Sequence, residues 1–166
     1  MLYGENKKIT KLKKTNAMRL LDKLNIDYEV IEYKVNPDDL SAEHVSQDTG
    51  IPLDRIFKTL VAYGENTGDI IACIPGNTEL NLKKLAQVSN NKKVFLIPVR
   101  EINKKTGYIR GGVSPLALKH PYPHFIDQSA LRHDFILVSA GQRGLQIKIN
   151  PGDLIDICQM KVEKLS

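Results

Sequence analysis

Three short stretches of this 166-residue sequence carry residue types that can do chemistry. In Ile56-Phe57-Lys58-Thr59-Leu60-Val61-Ala62, strand alternation puts Lys58 on one face with Ile56, Leu60 and Ala62. An ammonium on an apolar face is costly unless it reaches water or a partner. Lys58 therefore either snorkels, guards a sheet edge, or stands at the floor of a cleft to meet an anion or a carbonyl oxygen. In Gly107-Tyr108-Ile109-Arg110-Gly111-Gly112-Val113-Ser114-Pro115, the paired glycines allow positive φ and close approach of a ligand to backbone amides. Ser139-Ala140-Gly141-Gln142-Arg143-Gly144 repeats that logic with a hydroxyl, two glycines and a cation. Each turn reads equally as a plain connection.

Familiar catalytic signatures are missing from the sequence. There is no Gly-x-x-x-x-Gly-Lys-Ser/Thr loop and no Gly-x-Gly-x-x-Gly fingerprint after a strand. Ser114 lacks the second glycine of a nucleophile elbow, and Pro115 follows it. The histidines at 44, 120, 124 and 133 and the cysteines at 73 and 158 have no metal-ligand spacing, so no metal and no cofactor are expected.

The elements that must position these stretches are short and mixed. Thr15 or Asn16 caps a helix with Met18, Leu21 and Leu24 on one face, and Tyr28–Tyr33 alternates as a strand. Ser41 caps a short helix ending near Gly50. Ile56–Tyr63 and Asp69–Ile74 form a hairpin through Gly64–Gly68. Leu80–Val88 is amphipathic, with Leu82, Leu85 and Val88 inward. Lys93–Ile97 is a strand, and Pro98 opens a helix that turns Val99 and Ile102 inward. Strands at Phe125–Asp127, Asp134–Ser139 and Leu145–Ile149 precede a helix capped by Asn150. The expected fold is α+β (mixed α/β): a curved mixed, largely antiparallel sheet of about six or seven strands with several short helices.

Hydrophobic residues make up 42% and charged residues 26%, the balance of one soluble globular domain with no membrane span. Two distant cysteines suit a reducing cytoplasm. The net charge of +5 is uneven. Residues 1–14 hold five lysines and one glutamate and read as a basic arm ahead of a domain at 15–166. Residues 22–57 carry nine acids against three bases, and residues 81–110 carry eight bases against Glu101. A basic face of this kind suits a polyanion, unless it is only a solvated surface.

The order of the three chemical stretches resembles the YbaK/EbsC family, freestanding relatives of the editing domain of bacterial prolyl-tRNA synthetases. The likeness runs from about Thr15 to the C-terminus. It implies a YbaK-like fold and trans-editing: removal of cysteine from mischarged Cys-tRNA(Pro), with Cys-tRNA(Cys) tolerated. The family lysine maps onto Lys58, and substrate-binding positions map onto Tyr33, Thr59, Gly111, Gly112, Ser114, Pro115, Ser139, Gly141, Arg143 and Gly144. Many relatives carry aspartate where Gln146 stands here; glutamine still accepts a hydrogen bond through its carbonyl. In the family mechanism the substrate's own thiol attacks the ester, which asks the protein for positioning and oxyanion donors. Lys58 is then expected to polarise the carbonyl or hold the terminal adenosine and its phosphate.

The alternatives are an Ala-tRNA(Pro) hydrolase, or a non-catalytic aminoacyl, nucleotide or RNA-binding module on the same fold. The implied partners are mischarged tRNA and prolyl-tRNA synthetase, with a monomer as the default. The basic block, through Lys83, Lys84, Lys104, Lys105 and Arg110, is expected to meet the tRNA backbone. Charge reversal at Lys83, Lys84, Lys104 and Lys105 should therefore weaken tRNA binding more than deletion of residues 1–14, as measured by filter binding at fixed salt.

Overall fold

A computed structural model describes residues 13–166. The basic arm expected at 1–14 lies outside the described residues, save Lys13 and Lys14. Lys14 pairs with Asp22 on the first helix.

Helix α1 (Asn16–Lys23) starts where Thr15 Oγ1 accepts the Met18 amide at 3.2 Å. Its buried face is Ala17, Met18 and Leu21; Leu24 caps the helix end and remains 46% exposed, against the sequence expectation. Strand β1 (Tyr28–Glu32) follows, then helix α2 (Ala42–Thr49). Helix α2 is capped by the Ser41 hydroxyl and closed by Gly50 at φ 77°. Strands β2 (Phe57–Gly64) and β3 (Gly68–Pro75) make the long hairpin. Next come α3 (Leu82–Val88), β4 (Val94–Leu96) and α4 (Ile102–Thr106). Strands β5 (His124–Asp127), β6 (Ile136–Gln142) and β7 (Leu145–Ile149) lead to α5 (Pro151–Cys158) and β8 (Lys161–Glu163).

The single sheet expected from the sequence is two. One has the order β1-β7-β6, the other β4-β2-β3-β5-β8. Pairing is antiparallel except at β3–β5 and β5–β8. The sheets meet at one isolated parallel bridge, Ile56 to Leu137. The main core fills the space between them with Phe57, Val61, Ile71 and Cys73 from one and Val138, Leu145 and Ile147 from the other. The opposite face of the five-stranded sheet buries Ala62, Ile70, Ala72 and Ile74 under Leu85 and Ala86 of α3. Leu82 of α3 and Val99 beside α4 lie outward instead, 37% and 56% exposed. Val99 sits in a 3-10 turn that Pro98 begins, which displaces it from the expected inward stripe.

Strand β8 escapes sequence reading because only three residues pair. A buried carboxylate holds the segment beyond it. Asp127 Oδ1 accepts the Leu165 amide at 2.7 Å and the Ser166 amide at 3.2 Å, and Oδ2 accepts the Ser129 amide at 3.1 Å. Burial pushes this carboxyl up, but the hydrogen bonds from Ser129, Leu165 and Ser166 outweigh it and hold it below the usual range. A depressed folded-state value means stabilisation that is fully present above the unfolded value and lost as pH falls through the folded one. Asp127→Ala should cost about 2 kcal/mol at pH 7 in urea denaturation, given the strength of hydrogen bonds to a charged acceptor. That difference should shrink as the pH is lowered from 5 toward 3.

Candidate active site

A cavity of about 380 Å³ opens where the two sheets part company. Its origin is the shortness of β4. That strand pairs only with Ala62–Gly64, and the last contact is the Ile97 amide on the Val61 carbonyl at 3.1 Å. Pro98 then turns the chain away, so nothing from β4 continues along Phe57–Leu60. The Gly76 amide donates to the Ile56 carbonyl at 2.7 Å, which fixes the alternation: Lys58 and Leu60 turn their peptide groups toward β3. Thr59 turns its N–H and C=O to the open edge, toward the cavity. Ser139 of β6 and Gln146 of β7, paired across their ladder, line the facing wall.

Lys58 lines this cavity, and its ammonium donates to the Gly76 carbonyl at 3.4 Å. A side chain at position 76 would stand 2.6 Å from Ala42 Cβ and 2.8 Å from Leu53 Cδ1, so glycine alone lets that carbonyl sit there. Tyr33 is fixed by its amide on the Gly144 carbonyl at 2.9 Å, with its ring 6.2 Å from that of His44. Ser139 Oγ accepts the Gly141 amide at 3.1 Å. Gln146 is 6% exposed, and its Oε1 is buried without a hydrogen-bond partner. Such an acceptor is expensive to leave unmet, and here it borders a cavity. Exposed Glu43, in the first turn of α2, also lines the cavity. Sequence reading missed it, although the Ser41 cap already marked that turn.

The two glycine-rich turns lie against each other. Arg143 Nε donates to the Arg110 carbonyl at 2.8 Å. A side chain at Gly112 would meet the Arg143 amide at 3.2 Å, and one at Gly141 would stand 2.7 Å from the Tyr108 ring. Tyr108 is buried, which pushes its phenol up to about 12, and it donates to the Leu116 and Ala117 carbonyls. Gly111, at φ 85°, lines the cavity together with Arg110.

Several expected ligand positions, Gly112, Ser114, Pro115, Gly141 and Gly144, are not among the residues that line the cavity. The Gly112 amide already donates to the Ile109 carbonyl at 2.9 Å. Gly141 sits at a bulge in β6 and Gly144 in the tight turn after it, both at positive φ. Ser114 is fully buried and accepts the Leu116 amide at 3.2 Å, while the Pro115 carbonyl faces His124 Nε2 at 3.1 Å. Ser114 and Pro115 therefore stand behind the cavity wall and brace it.

The basic block does not form one patch. Lys83 and Lys84 ride on α3, over the sheet face that carries Ala62 and Ile70. Lys104 and Lys105 ride on α4 over the opposite face, where Lys105 meets Asp69 at 2.8 Å and Glu101 at 3.8 Å. The hydrogen bond to Asp69 holds the Lys105 ammonium above its usual range. Its charge is already matched, so the reversal experiment bears on Lys83, Lys84 and Lys104. No three His, Cys, Asp or Glu side chains cluster as a metal site among the described residues.

A family model described as the aminoacyl-tRNA editing domain matches residues 36–157. A protein of Enterococcus faecalis assigned as the Cys-tRNA(Pro)/Cys-tRNA(Cys) deacylase EbsC is 45% identical over 144 residues, 87% of this chain and 88% of that one. The proline–tRNA ligase of Fervidobacterium nodosum is 30% identical over 95 residues, 57% of this chain but only 16% of the ligase. A solved structure assigned as a trans-editing enzyme for prolyl-tRNA synthetase superposes with a TM-score of 0.78 at 22% identity, covering 93% of this chain and 99% of that one. That likeness carries the fold over nearly the whole chain. With the matched segment spanning both glycine-rich turns, Lys58 and the cavity between them, this chain belongs to the aminoacyl-tRNA editing domain family.

Proposed function

We propose that this chain is a trans-editing deacylase that removes cysteine from mischarged tRNA(Pro), and from Cys-tRNA(Cys) as a secondary substrate. The observation that carries the reading is the make-up of the cavity. Lys58 with its ammonium, Thr59 with its open-edge peptide groups and Gln146, whose amide oxygen is buried and unpartnered, line one space, and among its described lining residues there is no cysteine or histidine. Neither thiol lines it: Cys73 is fully buried behind Thr59, its Sγ 3.6 Å from the Thr59 Oγ1, and burial pushes both Cys73 and Cys158 up to about 12. They are poor nucleophiles at neutral pH.

In this reading the substrate supplies its own nucleophile. The cysteinyl sulfur attacks the ester carbonyl, forming a C–S bond. The C–O bond to the tRNA breaks, and the thiol proton is returned through solvent to the ribose oxygen. The products are a cyclic thiolactone and free tRNA. Lys58 and the Thr59 N–H are placed to receive the developing oxyanion, and Gln146 Oε1 to accept from the substrate's ammonium. Prealigned donors of this kind supply the main catalytic term when no protein nucleophile takes part. Prolyl-tRNA synthetase is the proposed companion that brings the mischarged tRNA.

The purified chain should deacylate Cys-tRNA(Pro) and act far more slowly on Ala-, Ser- and Pro-tRNA, followed by acid-precipitable label. Equal rates with Ala-tRNA would point to attack by water and overturn the thiol mechanism. Lys58→Ala should lower the rate by about 10²- to 10³-fold, the cost of losing one oxyanion donor, with an unchanged thermal melt. Full activity in that variant would remove Lys58 from the chemistry. Pretreatment with iodoacetamide at pH 8, then quenching, should leave activity intact. Cys73 and Cys158 should react with a thiol reagent quickly only in denaturant.

A further inference from the structure

Beside the cavity lies an aromatic pair that its chemistry does not use. Tyr63 and Phe95 face each other across β2 and β4, with ring centroids 5.6 Å apart at 44°. They are 37% and 51% exposed, high for two large rings in contact. Phe95 is on the edge strand β4 and Tyr63 on its neighbour β2, and the residues that follow Phe95, Leu96, Ile97 and Val99, line the cavity itself. From Thr59 to Tyr63 along β2 is about 13 Å at the usual strand rise.

Cations flank the pair along the chain. Arg100 follows β4 and is exposed; Lys92 and Lys93, which precede it, are also exposed but line a groove with Leu82 and Ala86 of α3, at the rim of the other sheet face. Of the nearby acids, Asp69 and Glu101 are engaged by Lys105, whose ammonium also stands 6.0 Å from the Tyr63 ring centroid, and Glu65 is exposed in the hairpin turn beyond Gly64. Exposed rings with cations close by along the chain, in continuity with a pocket, are what single-stranded nucleic acid binds: each base has a π-face to stack, and each phosphate a charge to neutralise. A protein partner adding a strand to β4 would use the edge but would have no need of these cations.

We propose that Tyr63 and Phe95 form a stacking platform for the unpaired nucleotides that precede the aminoacylated one, with Arg100 on a neighbouring phosphate and Lys92 and Lys93 adding only longer-range attraction from the rim of the strand. The inference rests on the deacylase reading for which nucleic acid enters the cavity. It adds a second anchor on the strand edge, which fixes how the 3′ end is led inward.

The probe is an uncharged acceptor-stem hairpin carrying 2-aminopurine in its unpaired 3′ segment, one or two positions before the terminal nucleotide. The wild-type chain should quench its fluorescence on binding. Phe95→Ala should abolish most of the quenching and weaken binding about tenfold, in the lower part of the range for base–aromatic stacking. Phe95→Tyr should restore both, and Leu131→Ala, an exposed apolar position away from the cavity, should change neither. Binding without quenching, or equal quenching by Phe95→Ala, would overturn the platform and leave the β4 edge to a protein strand. Quenching by a wild-type chain that leaves Cys-tRNA(Pro) intact would instead sink the deacylase reading while the platform stands.

Discussion

The contact on which the cavity depends is the clasp between two glycine-rich turns. Arg143 reaches the carbonyl of Arg110, Gly112 lies flush on the backbone of Gln142 and Arg143, and Tyr108 fills the space that Gly141 leaves bare. Sequence separation makes this clasp entropically costly to form, and close backbone packing is what offsets it. Because the turn at 109–112 is held by β6, Arg110 and Gly111 stand against the open edge of β2. The buried hydroxyls of Tyr108 and Ser114 serve the same end from behind, by satisfying the backbone of the segment around Leu116.

The proposed reaction, in which the substrate attacks itself, would place unusual demands on such a frame. No side chain has to be activated, so none of the pKa tuning common in hydrolases is required. Rigidity is required instead, since a small error in the angle of attack removes the advantage of proximity. The site is accordingly built from backbone held in place: the Gly76 carbonyl under Lys58, the edge peptides of Thr59, and turns in which glycine permits contacts that a Cβ would forbid.

Much of this was legible in the sequence, for identifiable reasons. Helix caps at Thr15, Ser41 and Asn150, and the strand patterns read at Tyr28–Tyr33 and Ile56–Tyr63, are local signals that tertiary packing did not override. Lys58, Tyr33, Thr59, Gly111, Ser139 and Gln146 do meet at one cavity. What the sequence concealed depends on distant partners. The split into two sheets follows from where β4 stops. Leu82 opens α3 beyond the face that Leu85 and Ala86 bury, and the Pro98 turn carries Val99 outward. The structural duty of Gly112, Gly141 and Ser114 follows from neighbours far along the chain, and a residue pattern cannot separate a glycine that admits a ligand from one that admits another loop.

The lone bridge between Ile56 and Leu137 has a further meaning. It is the hydrogen-bonded seam between two otherwise separate sheets, and the cavity opens beside it. The distance between the cavity walls is therefore governed by the thickness of apolar packing on either side of that seam. Size selection becomes a property of the spacers, Ile56, Leu137 and Val138, as much as of the residues a substrate would touch. A lineage could retune which amino acid fits by exchanging a methylene in the core, leaving every polar group of the site in place.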